Sequence, residues 1–263
     1  MLKNRLITAG MLAASFLGAL FFFSDTLWAL FLLLFIIMGA WEWGGLAKYG
    51  TPGRLLFSGL VFALGLLLLP GIDMLALLRA RFSVTLLCAA AIFWLALVPF
   101  WLARHWSVHR PAISVVTGLL VLLPPWIALI HLRQIGPEVV LVVMATVWLA
   151  DSAAYFFGKR FGRRKLAPSI SPGKTWEGAA GALFSVTLLG VILSLAKGLP
   201  LSLVFSLQAL VVLSVIGDLF ESLIKRQAGM KDSGSILPGH GGVLDRIDAL
   251  TSTLPLAALY FIV

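Results

Sequence analysis

Cysteine is nearly missing from this chain, and charge of either sign is scarce. Cys88 is the single cysteine among 263 residues, so a disulfide framework and a cysteine-based zinc cluster are both excluded. It lies in an apolar run and reads as a small packed hydrophobe. Charged residues make up 12% of the sequence, about half the usual share. Acids are rarer still, with 11 against 20 lysines and arginines. An internal repeat of the inverted kind found in many transporters is also missing. What fills the chain is apolar: 60% of its residues are hydrophobic and the mean hydropathy is +1.03. A soluble domain must cover its core with polar surface, and this composition cannot supply enough. Most of the chain must be solvated by lipid.

Lys3 and Arg5 precede an apolar stretch and so resemble the start of a signal peptide. The run 6–23 exceeds the usual signal core of about 7 to 15 residues, and no small-residue cleavage site follows. A retained first span is expected. A spanning helix needs about 20 mostly apolar residues, and nine stretches qualify: 6–23, 26–41, 55–72, 83–102, 112–130, 138–157, 177–196, 201–220 and 248–263. Backbone groups in lipid must be satisfied internally, and runs this continuous favour helices over the alternating strands of a barrel. The expectation is an all-α, polytopic bundle of about nine transmembrane helices. Residues 1–137 supply about five of them, and 138–263 supply the rest together with the polar loops. With the N-terminus in the cytosol, only Arg79, Arg81, Arg133 and Lys197 of the 20 basic residues fall outside. That bias predicts a cytosolic N-terminus, and it explains the net charge of +9 without nucleic acid.

Two segments between spans are polar. Residues 158–176 hold Lys159, Arg160, Arg163, Arg164, Lys165 and Lys174 and no acid; residues 221–247 are rich in glycine and charge. A headgroup-attracting role, worth about 1 kcal/mol per cation near an anionic surface, suits the cluster 159–165, with direct contact to substrate as the alternative. Asp25, Asp73 and Glu138 read as solvated surface, and Glu42, between Trp41 and Trp43, as an interfacial residue. The remaining acids, Asp151, Glu177, Asp218, Glu221, Asp232, Asp245 and Asp248, gather at the same ends of the last four spans. Acids near a span are costly and usually mark a site. Asp218, Glu221, Ser222 and Lys225 share one helix face by their spacing, as do Asp245 and Asp248. Asp218, Asp245 and Asp248 can therefore converge, and hard oxygen ligands of this kind suit Mg²⁺. The competing reading pairs these acids with Lys225, Arg226 and Arg246 as structural ion pairs.

Phosphate-binding chemistry sits beside them. Lys225, Arg226 and Lys231 offer charge, and Arg246 offers a bidentate fork. In Pro238–Gly239–His240–Gly241–Gly242 the glycines let backbone N–H groups approach an anion, and His240 can serve in acid–base chemistry or donate to a phosphate. Ser171–Pro172–Gly173–Lys174–Thr175 ends like a Walker A loop but fails as one, because Pro168 stands where its first glycine belongs and no strand is expected before it. Lys174 remains a candidate point charge for a phosphate.

The stretch 222–248, SLIKRQAGMKDSGSILPGHGGVLDRID, resembles the signature of the phosphatidate cytidylyltransferases. It carries Ser222, Lys225, Arg226, Lys231, Asp232, the Pro-Gly-His-Gly-Gly run, Asp245, Arg246 and Asp248 at that family's distances. A second block, from Asp151 through Tyr155, Gly158 and Gly162 to Gly178, is similar to the family's upstream block, with Ala153 where many members have glycine. The likeness is good over about 147–255; the earlier spans share only hydrophobicity and the Trp41–Glu42–Trp43 patch. The resemblance implies CMP transfer from CTP to phosphatidic acid with Mg²⁺, a second metal or a monovalent ion staying open. It implies Asp218, Asp245 and Asp248 as metal ligands and Lys225 and His240 beside them in catalysis. Lys174, Thr175, Arg226, Lys231, Arg246, Gly241 and Gly242 would serve the phosphates, with Asp151, Glu221 and Ser222 as further candidates. Membrane lipid, a bacterial cytoplasmic membrane and a homodimer are the associated expectations. Two rivals stand against this. A transporter would use Asp151 and Asp218 as ion ligands. A related lipid nucleotidyltransferase would act on another phosphorylated lipid. The other form of that second rival, a CDP-alcohol phosphotransferase, would need an Asp-Gly-x-x-Ala-Arg pattern, which is missing.

Overall fold

A computed structural model describes residues 2–70, 76–237, 239 and 241–262, with side chains from residue 8 onward. Asp73, Pro238, His240 and the side chains of Lys3 and Arg5 lie outside the described residues. The chain is nearly all-helical: α1 (Leu2–Phe22), α2 (Asp25–Leu46), α3 (Thr51–Leu67), α4 (Ala76–Ile92), α5 (Val98–Arg104), α6 (Pro111–Ile135), α7 (Pro137–Phe161), α8 (Trp176–Lys197), α9 (Ser202–Ala228) and α10 (Leu244–Ile262). A π-helical turn, Phe93–Leu97, joins α4 to α5 in one continuous rod, Ala76–Arg104. It lies just ahead of Pro99 and carries the amide of Val98 back to the carbonyl of Phe93. The wide turn accommodates a residue that has no N–H to give.

Among the described residues six helices are long and apolar enough to cross a membrane: α2, the Ala76–Arg104 rod, α6, α7, α8 and α9. The chain is thus an integral membrane protein by length and composition. All nine stretches expected from hydropathy lie wholly or largely on helices. The ends differ where the chain turns polar. α9 runs on to Ala228 and α10 starts at Leu244, so the long segment expected over 221–247 shrinks to the residues between them. Hydropathy marks where lipid ends, and a helix does not stop there.

The all-α expectation holds for nearly all of the chain; the exception is a small antiparallel hairpin, β1 (Lys165–Ala167) paired with β2 (Ser171–Thr175). β1 also overturns the expectation that no strand stands before position 168. The P-loop stays excluded by Pro168, and the stretch that would wrap a phosphate is a strand instead. Thr175 ends the hairpin and starts α8: its backbone is extended and its Oγ1 accepts from the Gly178 amide at 3.1 Å, a side-chain N-cap. Gly198 and Gly229, both left-handed, close α8 and α9.

α10 is the centre of the bundle, packing on α9 and α6 most heavily and also on α4, α7 and α2. Its residues 249–255 are all buried. α7 lies against α8, brought close by glycines: a Cβ on Gly181 would run into the Phe157 ring, and one on Gly178 would sit 2.7 Å from the Ala154 carbonyl. Phe184, Leu188, Ile192 and Leu195 of α8 point outward, as expected of a surface whose solvent is lipid.

Candidate active site

α9 is held from behind. Phe220 is fully buried, with the rings of Phe93, Trp94 and Trp101 around it at centroid distances of 5.7, 5.5 and 5.6 Å. Two residues along a helix point to roughly opposite sides, so this aromatic anchor turns Asp218 away from the rod and toward α7, α8 and the hairpin. Gly217 completes the fit, since a Cβ there would meet the Ser252 hydroxyl and the Asp248 carbonyl of α10.

What Asp218 faces is an open cavity of about 680 Å³, inside the ~300–1,000 Å³ range of small-molecule sites. Its walls come from α7 (Asp151, Tyr155, Lys159), the hairpin and start of α8 (Lys165, Lys174, Thr175), α9 (Asp218) and α10 (Asp245, Asp248). Asp151, Lys174, Thr175, Asp218, Asp245 and Asp248, chosen from the sequence, thus line one space. Their contacts differ. Lys174 Nζ lies 2.5 Å from Asp218 Oδ2, and Ser222 Oγ donates to Asp218 Oδ1 at 3.3 Å. Among the described residues the Asp248 carboxylate accepts only from the amide of Ala249 next to it, at 2.8 Å. Asp151 and Asp248 are each close enough to Asp218 to feel its charge.

Asp245 is engaged differently. Its Oδ1 accepts from Lys225 Nζ at 2.7 Å, and its Oδ2 accepts from the amides of Ser233 and Gly242, both at 2.9 Å. Lys225 also pairs with Glu221 at 3.1 Å. The expected single face Asp218–Glu221–Ser222–Lys225 therefore divides. Asp218 and Ser222 form one rung and Asp218 alone of the four lines the cavity, while Lys225 bridges Glu221 and Asp245. This part of the acid cluster is the ion-pair arrangement weighed above.

The phosphate candidates separate in the same way. Arg226, Lys231 and Arg246 are exposed and none lines the cavity. The amide of Gly242 is spent on Asp245. Gly241, at φ 84°, accepts from the Leu237 amide at 3.0 Å and shapes the turn, a conformation that favours glycine. The Thr175 hydroxyl is spent on its cap. His240 lies outside the described residues.

Four residues outside the chosen site set also build the cavity or its scaffold. Tyr155, with Lys159 Nζ 5.7 Å from its ring centroid, and Lys165 line the cavity; the cationic signal was visible in the 159–165 cluster. Glu177 ties the basic turn down, accepting from the amides of Arg163 and Arg164 at 3.1 and 3.2 Å. Glu42, read from the sequence as an interfacial residue, is buried at 3% exposure and accepts from Ser233 Oγ at 3.1 Å and from the Val243 and Leu244 amides at 3.0 and 2.9 Å. The one hint was a lone acid between two tryptophans.

Residues 3–263 match the sequence pattern of the cytidylyltransferase family. The phosphatidate cytidylyltransferase of Pseudomonas aeruginosa is 42% identical over 267 residues, which cover 98% of this chain and 96% of that protein. The phosphatidate cytidylyltransferase of Haemophilus influenzae is 36% identical over 286 residues, covering 99% of each. That of Bacillus subtilis is 44% identical over 135 residues, about half of either chain.

Proposed function

Because the chain belongs to the cytidylyltransferase family, we infer that it transfers CMP from CTP to phosphatidic acid, releasing pyrophosphate and leaving CDP-diacylglycerol in the membrane. The observation that carries this reading is one cavity in which acids and lysines face each other at the ends of membrane helices. An oxygen of the lipid phosphate forms a bond to the α-phosphorus of CTP, and the bond from that phosphorus to the bridging oxygen breaks, so that the electron pair leaves with pyrophosphate. The lipid phosphate is already an anionic nucleophile, so the protein's work is positioning and charge neutralisation rather than covalent catalysis.

Asp218 and Asp248, with Asp151 beside them, are the carboxylates fitted to Mg²⁺. They are hard oxygen donors with few protein donors of their own. Among the described residues no three His, Cys, Asp or Glu side chains close on one point as a ready-made cage. Mg²⁺ does not need one, since it takes one or two carboxylates and fills its remaining positions with water and substrate phosphate. When bound, such an ion supplies charge neutralisation at the triphosphate. Asp245 lines the same cavity, but its oxygens are held by Lys225 and two amides, which makes it the anchor of the group. Lys174 neutralises Asp218 when no substrate is present and is the cation placed to meet an incoming phosphate. Lys159 and Lys165 carry positive charge to the opposite wall.

The finer placement follows the basic residues. We propose nine spans, a cytosolic N-terminus, and a cavity opening to the cytosol of a bacterial inner membrane, where CTP arrives from water and the lipid from the adjacent leaflet. Residues 138–263 then carry the chemistry, and 1–137 brace it. Purified protein incubated with phosphatidic acid and CTP labelled at either the α- or the γ-phosphate tests the reading. Only the α-label is expected in the lipid phase, and a chelator is expected to abolish it. An unlabelled lipid phase in both reactions would refute it, and a γ-labelled lipid would show a different transfer.

A further inference from the structure

The polar turn that leads into α10 is held by a residue from the other half of the chain. Glu42 belongs to α2, and the groups it binds are Ser233, Val243 and Leu244. In all three contacts Glu42 is the acceptor. Val243 and Leu244 stand at the start of α10, where helix amides have no partner within the helix and the macrodipole favours negative charge. Glu42 supplies from a distance what a local N-cap side chain usually supplies.

The contact is built tightly. A Cβ on Gly234 would lie 2.5 Å from Glu42 Oε1, and one on Gly242 would lie 2.6 Å from Glu42 Oε2. Two glycines thus leave room for this one carboxylate. Ser233 is the junction: its Oγ donates to Glu42, its amide donates to Asp245 Oδ2, and the Asp245 amide returns 3.3 Å to its Oγ. Asp245 in turn holds Lys225 of α9. A continuous polar chain therefore runs from α2 through the turn to α10 and α9, and its last members sit beside Asp218 and Asp248.

Resting on the function inferred above, we propose that Glu42 is a positioning residue for this reaction: it fixes Ser233, the residues 242–244 and the first turn of α10, and so sets where Asp245 and Asp248 stand in the cavity. It touches no substrate, since it does not line the cavity. The N-terminal half then does more than anchor the protein in lipid.

Glu42→Gln keeps the size of the side chain but replaces one acceptor oxygen with an NH₂ group facing backbone N–H. Ser233→Ala removes only the hydroxyl rung and leaves the Val243 and Leu244 contacts. In the full-length, detergent-purified protein, E42Q is expected to lower kcat for CDP-lipid formation by about 10- to 100-fold, the scale of a small misplacement of catalytic groups. S233A is expected to lower it less. Amide hydrogen exchange, measured without substrates, is expected to quicken over 231–247 in both variants while α6 and α8 keep the parent's protection. The Mg²⁺ concentration for half-maximal rate is expected to rise in E42Q, which a mere loss of folded protein would not cause. Parent-like rate and exchange in E42Q would overturn the proposal. So would exchange quickened through every helix with an unmoved Mg²⁺ midpoint. If the parent protein itself formed no CDP-lipid, the functional reading would fall, and the local exchange would still decide whether Glu42 holds the turn.

Discussion

Asp218 and Asp245 look alike in the sequence, each an acid at the edge of an apolar run with a basic residue further along, Lys225 and Arg246 respectively, yet the fold uses them in opposite ways. Asp218 meets a lysine from a hairpin at the mouth of an open cavity. Asp245 is enclosed by a lysine and two backbone amides, and the turn on which it depends is held by Glu42. The first kind of carboxylate keeps its bonding capacity for something that arrives; the second has used it to hold the chain. A buried acid near a membrane site is therefore not by itself a ligand. The number of protein donors already on it separates the two.

That contrast can be broken most sharply at the cavity acids. Asp218→Asn or Asp248→Asn is expected to lower CDP-lipid formation by about 100- to 1,000-fold, the cost typical of removing one electrostatic group aimed at the reacting centre. The thermal midpoint should hold or rise slightly, because mutual repulsion among Asp151, Asp218 and Asp248 is relieved. Rate assays and thermal unfolding on the same preparations check both halves. Asp245→Asn should show the reverse emphasis. Its side chain is 6% exposed and that of Lys225 is 14% exposed, and breaking a pair this enclosed costs about 3 kcal/mol. A clearly lowered thermal midpoint is the expected result, and an unmoved midpoint would put Asp245 with the ligands instead.

Smaller effects sharpen the comparison further. Lys174→Met is expected to raise KM for CTP about tenfold, the value of one charge-assisted contact, with little change in stability because its ion pair is part-exposed at the cavity. Substrate saturation curves read this directly. Thr175→Val removes only an N-cap and should cost about 1 kcal/mol of stability with a modest change in rate. A large loss of CTP affinity there would mean that the hydroxyl leaves the Gly178 amide to bind a phosphate.

The bundle was legible because lipid imposes a coarse rule: a run of apolar residues long enough to cross becomes a helix. Nine runs gave nine helical segments among the described residues. The errors fell where helices outlast the apolar core, as in α9, which continues past Phe220 through Glu221 and Lys225 to Ala228. The hairpin was not legible, since Ser171–Thr175 carries no alternating pattern and pairs only with three residues of β1. In the site, Asp218, Asp248 and Asp151 stood out because they are polar where polarity is costly, and Lys174 because its stretch ends like a phosphate-binding loop. The division between Asp218 and Asp245 could not, because it depends on which amides reach them across the turn. Glu42 was hidden for the same reason: its partners lie about two hundred residues away, and nothing local to α2 distinguishes a buried brace from an interfacial acid.

Transfer at the cavity acids is the claim on which the rest depends. Lipid-soluble label from α-labelled CTP, compared between the parent protein and Asp218→Asn at equal folded concentration with Mg²⁺ present, is the direct test. Label in the parent alone is the predicted result; equal label in both would contradict it.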